Sequence, residues 1–207
     1  MIQNGVMLLV VCGFLLAAGC SGIAPPQPPA PATLERLMLA PADMPANCTL
    51  AESVERTTDD VSSLAKDLGW QGGHVVRYRC SFDNTGPVTA IVHSVAIYPE
   101  VNMPDIVTLA ERQDRSVRDL VFTDLPDPGL GLNGRAFQAT LPDGMPAPAG
   151  ADTGTGKPVK AEDRIAEPFI EIIFSKGSAF EVLTMTGPGA DYRIIHQLAQ
   201  TAYARIP

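Results

Sequence analysis

Three histidines, His74, His93 and His196, are the side chains of this 207-residue chain best suited to acid–base chemistry or to zinc binding. No two of them have the spacing that places two metal ligands on one face of a helix. A histidine beside a serine can activate the hydroxyl, but the sequence lacks the G-x-S-x-G turn that presents such a serine. We therefore predict solvated or structural histidines, no metal site and no catalytic residues.

Two glycine-rich stretches match phosphate-binding motifs in their letters. Gly129–Gly134 reads G-x-G-x-x-G, but residues 135–140 alternate like a strand, whereas a dinucleotide site needs a helix there. Gly154–Lys157 is similar to the end of a P-loop, but Pro158 replaces the hydroxyl residue that would bind magnesium. The first stretch is predicted to be a turn before a strand, and no cofactor is expected.

Three groups of acidic residues could serve in acid–base catalysis or in metal binding. The pair at 59–60 is better explained as the acidic start of a helix over 61–68, and the pair at 162–163 as a soluble loop. Asp124 and Asp127 precede glycines as in a calcium loop, but the bidentate Glu of an EF-hand is missing. Calcium stays open as an alternative, and we assign no metal.

The first 19 residues contain no charged side chain, and Val6–Ala18 are almost wholly apolar. Thirteen helical residues span about 20 Å, which is less than the roughly 30 Å of a membrane core. This length favours the hydrophobic part of a signal peptide over a transmembrane helix. An uncleaved anchor or a buried N-terminal helix remains the alternative.

The segment ends in Leu16-Ala17-Ala18-Gly19-Cys20, which resembles the lipobox of prokaryotic lipoproteins. The resemblance implies that residues 1–19 are a signal peptide, that the bond before Cys20 is cleaved, and that the Cys20 sulfur carries a diacylglyceryl group. Two acyl chains hold a protein stably on a membrane, whereas one does so only marginally. The implied location is the extracytoplasmic face of the cell membrane, and the implied partner is the membrane itself.

A proline-rich segment follows, with five prolines between Ser21 and Ala32. Such a segment favours an extended polyproline conformation of about 3.1 Å per residue, so it would hold a domain roughly 35 Å from the bilayer. We predict a lipidated cysteine and tether over residues 20–32, followed by one domain over 33–207.

Cys48 and Cys80 remain as the two cysteines of that domain, and export to an oxidising compartment would favour a disulfide between them. Zinc is the alternative, but the pair lacks C-x-x-C spacing and few histidines are available. Asn47-Cys48-Thr49 is also a sequon for N-glycosylation at Asn47. A buried, bonded Cys48 would restrict access to it.

Hydrophobic periodicity predicts helices and strands in the order αβαββαββ, a long irregular loop over 142–168, then ββα. Hairpins dominate this order, so the expected class is α+β, a largely antiparallel sheet with helices on both faces. The element order is similar to the Mog1/PsbP-like layout. The runs MLAPADMP, TLAESVERT and SSLAKDLGWQGG also resemble uncharacterised exported proteins of methanogenic archaea, over about the first third of the domain.

The amino-acid composition and net charge exclude some classes of protein and some partners. Hydrophobic residues make up 45% of the chain and charged residues 18%, which excludes a mainly disordered protein. A net charge of −8 argues against nucleic acid as a partner. We predict a membrane-anchored module that is not an enzyme and binds a protein or small molecule through the loops at 126–134 and 142–168. An envelope hydrolase and a structural envelope component are the alternatives.

Overall fold

The computed structural model describes residues 31–82, 88–116, 120–142, 168–187 and 189–207. In these ranges seven strands form one antiparallel sheet in the order β1-β2-β3-β7-β6-β5-β4. The strands are β1 (Cys48–Arg56), β2 (Gly72–Cys80), β3 (Thr89–Ile97), β4 (Val121–Asp124), β5 (Arg135–Thr140), β6 (Phe169–Lys176) and β7 (Ala179–Thr186). The helices are α1 (Pro31–Leu37), α2 (Ser63–Asp67), α3 (Met103–Asp114) and α4 (Tyr192–Arg205). The predicted α+β class and element order are confirmed.

Helices cover both faces of the sheet, so the fold has three layers. On one face α1 and α4 pack on a large core that includes Leu34, Ile91, Ile172, Leu183 and Ile195. On the other face α3 packs on a smaller core that includes Met103, Ile106, Phe137, Ile173 and Phe180. The central strands β6 and β7 are buried on both faces, as their continuous apolar runs predict.

A disulfide joins Cys48, the first residue of β1, to Cys80, the last residue of β2. Cys80 is fully buried and Cys48 half-buried, whereas every β1 residue from Thr49 to Arg56 is exposed. β1 therefore lies at the edge of the sheet and is held there by its pairing with β2 and by the disulfide. The predicted disulfide is confirmed.

Three boundaries differ from the sequence expectation. α1 begins at Pro31, so residues 31–32 belong to the helix and not to the tether, because proline suits a first helical turn. The helix expected over 61–68 is shorter and begins at Ser63, since the Ser62 side chain caps it. Residues 58–60 form a separate 3-10 turn, in which Asp60 Oδ2 accepts the Thr57 amide at 2.7 Å.

Several sequence predictions fall outside the described residues. They concern the signal segment, Cys20, most of the tether and residues 143–167 of the predicted loop. Within the described ranges, no helix is both long and apolar enough to cross a membrane.

Candidate functional site

A groove of about 350 Å³ opens where the end of α3 meets β4, β5 and the loop between these strands. It is lined by Glu111, Arg115, Asp124, Leu125, Asp127, Pro128, Gly134, Arg135 and Ala136. The 126–134 loop, which the sequence predicts to be a contact region, supplies one wall of it. We therefore take this groove as the candidate functional site.

Arg115 organises the wall that α3 provides. Its Nε lies 3.0 Å from Glu111 Oε1, and its second terminal nitrogen donates to Asp124 on β4. The guanidinium carbon lies 4.8 Å from the ring centroid of Phe137, at cation–π distance. These contacts fix the Arg115 plane and hold the last turn of α3 against the short strand β4.

Arg135 and Asp127 complete the charged lining. Arg135 Nε lies 3.7 Å from Glu111 Oε2, and its Nη1 donates to the Gly134 carbonyl at 2.8 Å. Asp127 Oδ1 accepts the Gly129 amide at 2.8 Å, which closes a tight turn. Both side chains are exposed and retain free hydrogen-bonding capacity toward solvent.

Charged side chains dominate the polar part of this lining. Its polar side chains are three carboxylates and two guanidinium groups, and none of its residues carries a hydroxyl, thiol or imidazole. Carboxylates and guanidinium groups make strong charge-assisted hydrogen bonds with groups of opposite charge. The groove is thus suited to a polar ligand that carries charges of both signs.

The loop that borders the groove is fixed to the body of the domain. The Tyr192 hydroxyl donates to the Pro126 carbonyl at 2.8 Å, and His196 Nε2 lies 2.9 Å from the Pro128 carbonyl oxygen. Leu130 is buried in the large core. These contacts hold the loop against the body of the domain, and a pre-ordered loop loses less entropy on binding a ligand than a mobile loop does.

Glycine is required within this loop for a structural reason. Gly129 and Gly131 have φ values of 65° and 73°, which side-chain-bearing residues rarely adopt. A Cβ on Gly131 would also lie 3.2 Å from the Ser175 carbonyl oxygen. The stretch is a turn that enters β5, so the prediction of a turn before a strand is confirmed.

A buried acidic pair lies near the same end of α3. Glu171 on β6 is 5% exposed and accepts a hydrogen bond from the Thr184 hydroxyl at 3.0 Å. Burial raises the pKa of Glu171 well above its usual range, and the neighbouring Asp114 carboxyl raises it further. Burial also raises the pKa of Asp114. Both carboxyls therefore release their protons less readily than isolated carboxyls do.

His93 is fully buried on the opposite face of the sheet. The Leu39 amide donates to its Nδ1 at 3.2 Å, which leaves Nε2 to donate to Glu181 Oε2 at 2.9 Å. The Tyr78 hydroxyl donates to the Leu39 carbonyl at 2.7 Å, so both polar groups of Leu39 are bonded. His93 thus has the structural role that the sequence analysis assigns to it, and it fastens the segment after α1 to the sheet.

A hydrolase would need a histidine beside a serine or carboxylate in a cleft. The described residues meet this requirement only in part. His74 Nε2 lies 2.9 Å from the Ser53 hydroxyl, on the open surface of β1 and β2. A second groove of about 260 Å³ lies between α2 and α3, lined by Leu64, Leu68, Asp105, Thr108, Leu109 and Arg112. Neither groove is lined by a histidine, and the His93 contact is enclosed in the core.

The remaining predicted sites fall in different places. Asp124 and Asp127 serve an ion pair and a turn, and no group of three possible metal ligands occurs in the described ranges. Asn47 is exposed in a turn with a φ of 69°, and its neighbour Cys48 is bonded but only half-buried, so glycosylation of this sequon stays a prediction. Trp70 is half-buried against the smaller core.

Sequence reasoning missed Glu111, Arg115 and Arg135 of the groove, and it also missed the buried Glu171 and Glu181. Each of the two buried glutamates is the single charged residue inside an apolar strand, in the runs FIEIIFS and AFEVLTMT. A charge in the interior of such a run indicates a buried partner, because a lone buried carboxylate is strongly disfavoured. That signal was available, although it does not identify the partner.

Comparison with known proteins shows a likeness in fold. No protein-family model matches the chain, and no curated protein matches it. Among solved structures, it is similar to the extracellular domain of PknH from Mycobacterium tuberculosis, with a TM-score of 0.55 over 86% of this chain and 97% of that one. The two chains share a fold. Their identity is 9%, so the likeness concerns the fold alone.

Proposed function

We propose that this chain is a lipid-anchored, extracytoplasmic binding module without catalytic activity of its own. The lipobox-like end of the apolar segment supports the anchor at Cys20. The Cys48–Cys80 disulfide supports an oxidising compartment, since such bonds persist mainly outside the cytosol. The fold shared with an extracellular domain agrees with that location.

The observation that carries the binding role is the groove of Glu111, Arg115, Asp124, Asp127 and Arg135. Its walls are pre-formed by ion pairs and by a loop bonded to α4, and its lining offers charges of both signs. A ligand with a cationic and an anionic group matches this lining: carboxylates on the rim would bind the cation, and Arg135 the anion.

The anchor is tested by intact-mass spectrometry of the protein from its native membrane. We expect a chain that begins at Cys20, carries a diacylglyceryl thioether and lacks two hydrogens for the Cys48–Cys80 bond. Cys20→Ser is expected to shift the protein from the membrane fraction to the soluble fraction. A chain that keeps Met1 and an unmodified Cys20 contradicts the anchor and leaves the groove unaffected.

The groove is tested by titrating the isotope-labelled protein with charged dipeptides, Arg-Asp and Lys-Glu, against Gly-Gly. We expect saturable chemical-shift changes in residues 125–136 with the charged dipeptides. Arg135→Ala should weaken their binding by about tenfold or more, because a hydrogen bond to a charged group contributes about 1.5–3 kcal/mol. Arg193→Ala is the matched control, because Arg193 is exposed and bonded only to Asp191 in the described contacts. Equal effects of the two substitutions, or shifts away from the groove, contradict the proposed site.

A further inference from the structure

β1 is an edge strand whose outer side faces solvent along its length. It pairs with β2 on one side, and the residues from Thr49 to Arg56 are exposed on both faces. The register shifts between Leu50 and Glu52, so a bulge at Ala51 interrupts the strand. Among the described residues, no strand pairs with the outer side of residues 52–56, so the backbone groups of this regular part of the edge can template another strand.

We infer that this edge pairs with the same edge of a second copy of the chain, antiparallel and about a two-fold axis at Val54. This register places Glu52 of one copy opposite Arg56 of the other, and it does so twice because the axis is symmetric. Opposite charges directly across two strands stabilise their pairing. The result is one continuous sheet that crosses from copy to copy.

The faces of the strand fit the same arrangement. Glu52 lies opposite Arg77 of β2 and Val54 opposite Val75, so Glu52, Val54 and Arg56 share one face of the sheet. Val54, which is 44% exposed, would meet its own copy between the two ion pairs. On the other face, the Ser53 hydroxyl would lie opposite Glu55 of the second copy, and a hydroxyl donates well to a carboxylate.

Other symmetric registers are disfavoured by the sequence of β1. Centres at Glu52, Glu55 or Arg56 place that charged side chain against its own copy, which destabilises an antiparallel pair. A centre at Ser53 loses pairing at both ends, because the bulge at Ala51 follows within two residues. Val54 is thus the centre that gives both five paired residues and matched charges.

The test is cysteine cross-linking of the full-length chain in the membrane of the expressing cell. In Val54→Cys the two thiols would lie directly opposite each other, at a Cα separation of about 4.5–5.5 Å, which a disulfide spans. Val101→Cys is the matched control, because Val101 is an 84% exposed valine away from β1. Under mild oxidation we expect a covalent dimer of Val54→Cys at more than ten times the yield of the control.

Charge reversal separates self-pairing from other partners. In the Val54→Cys background, Arg56→Glu sets like charges against each other and is expected to lower the dimer yield at least fivefold. Adding Glu52→Arg restores opposite charges and should restore the yield. The inference would be overturned by equal yields for the Val54 and Val101 variants, or by a double reversal that fails to restore the dimer. It would also be overturned if the cross-linked product had the mass of another protein or of an internally linked monomer.

Discussion

The strongest quantitative prediction concerns the disulfide between Cys48 and Cys80. The two residues are 32 positions apart, and the enclosed loop contains all of β1, α2 and β2. In the chain-entropy model, closing a loop of this length restricts the unfolded chain by about 3.7 kcal/mol at 25 °C. Because typical domains are stable by only about 5–15 kcal/mol, removing the bond should cost a large part of the total.

The perturbation is the double variant Cys48→Ala/Cys80→Ala, unfolded in urea. With a denaturant dependence of about 2 kcal/mol per molar, the midpoint should fall by about 2 M. Trp70, the only tryptophan of the chain, provides the fluorescence signal, since it packs against the smaller core. Wild-type protein treated with a reductant is the control and should unfold at the midpoint of the double variant.

A decrease of less than about 1 kcal/mol in the free energy of unfolding would refute this reasoning. It would mean that the loop between the two cysteines stays restricted in the unfolded chain without the disulfide, so that chain entropy is not the source of the stabilisation. A reduced wild type that differs from the double variant would likewise show that the thiols, and not the missing bond, change the stability.

Three further predictions follow from the buried polar groups and the exposed serine. Glu171→Gln should raise the free energy of unfolding at pH 8, because a neutral amide avoids the cost of keeping a carboxyl protonated at a pH where the unfolded chain releases the proton. The gain should be about 1.4 kcal/mol for each pKa unit by which folding raises the Glu171 pKa. The folded state holds the Glu171 proton above the pH at which the unfolded chain releases it, so wild-type stability should fall as pH rises through this window. In Glu171→Gln the loss of stability between pH 5 and pH 8 should be smaller than in the wild type, and parallel urea titrations at the two pH values measure it. An equal loss in both proteins would contradict a raised pKa of Glu171. His93→Ala should cost about 3–5 kcal/mol in the same assay, since it leaves Glu181 buried without its donor, whereas His74→Ala at the surface should stay within about 0.5 kcal/mol. A fluorophosphonate probe should leave Ser53 unlabelled in intact-mass spectra, and an adduct at Ser53 would favour the hydrolase alternative.

Much of the fold could be predicted because its strands repeat in a simple way. Alternate residues of β2 and β3 point to opposite faces, and the continuous apolar runs of β6 and β7 indicate burial on both sides. The disulfide was predictable as well, since two cysteines remained to pair. The start of α2 was not, because the side chains of Thr57 and Asp60 satisfy each other in a turn that competes with the helix.

The candidate site could be located but not built from the sequence. The loop at 126–134 is visible from its prolines and glycines, yet the groove depends on Arg115, which approaches Asp124 only after α3 and β4 pack together. The buried partners of Glu181 and Glu171 lie 88 and 57 positions away along the chain. Sequence periodicity describes one element at a time, so such tertiary pairs are beyond its reach.

The pairing of β3 with β7 has a consequence for how the protein is made. Early and late parts of the chain meet there, and α1, the first described helix, packs on the same core as α4, the last. A nascent chain that ends before residue 179 has no partner for the inner edge of β3 and no α4 to cover Ile91 and Val95. Native pairing of the central strands must therefore await the final residues of the described fold, and contacts between such distant parts of a chain form slowly.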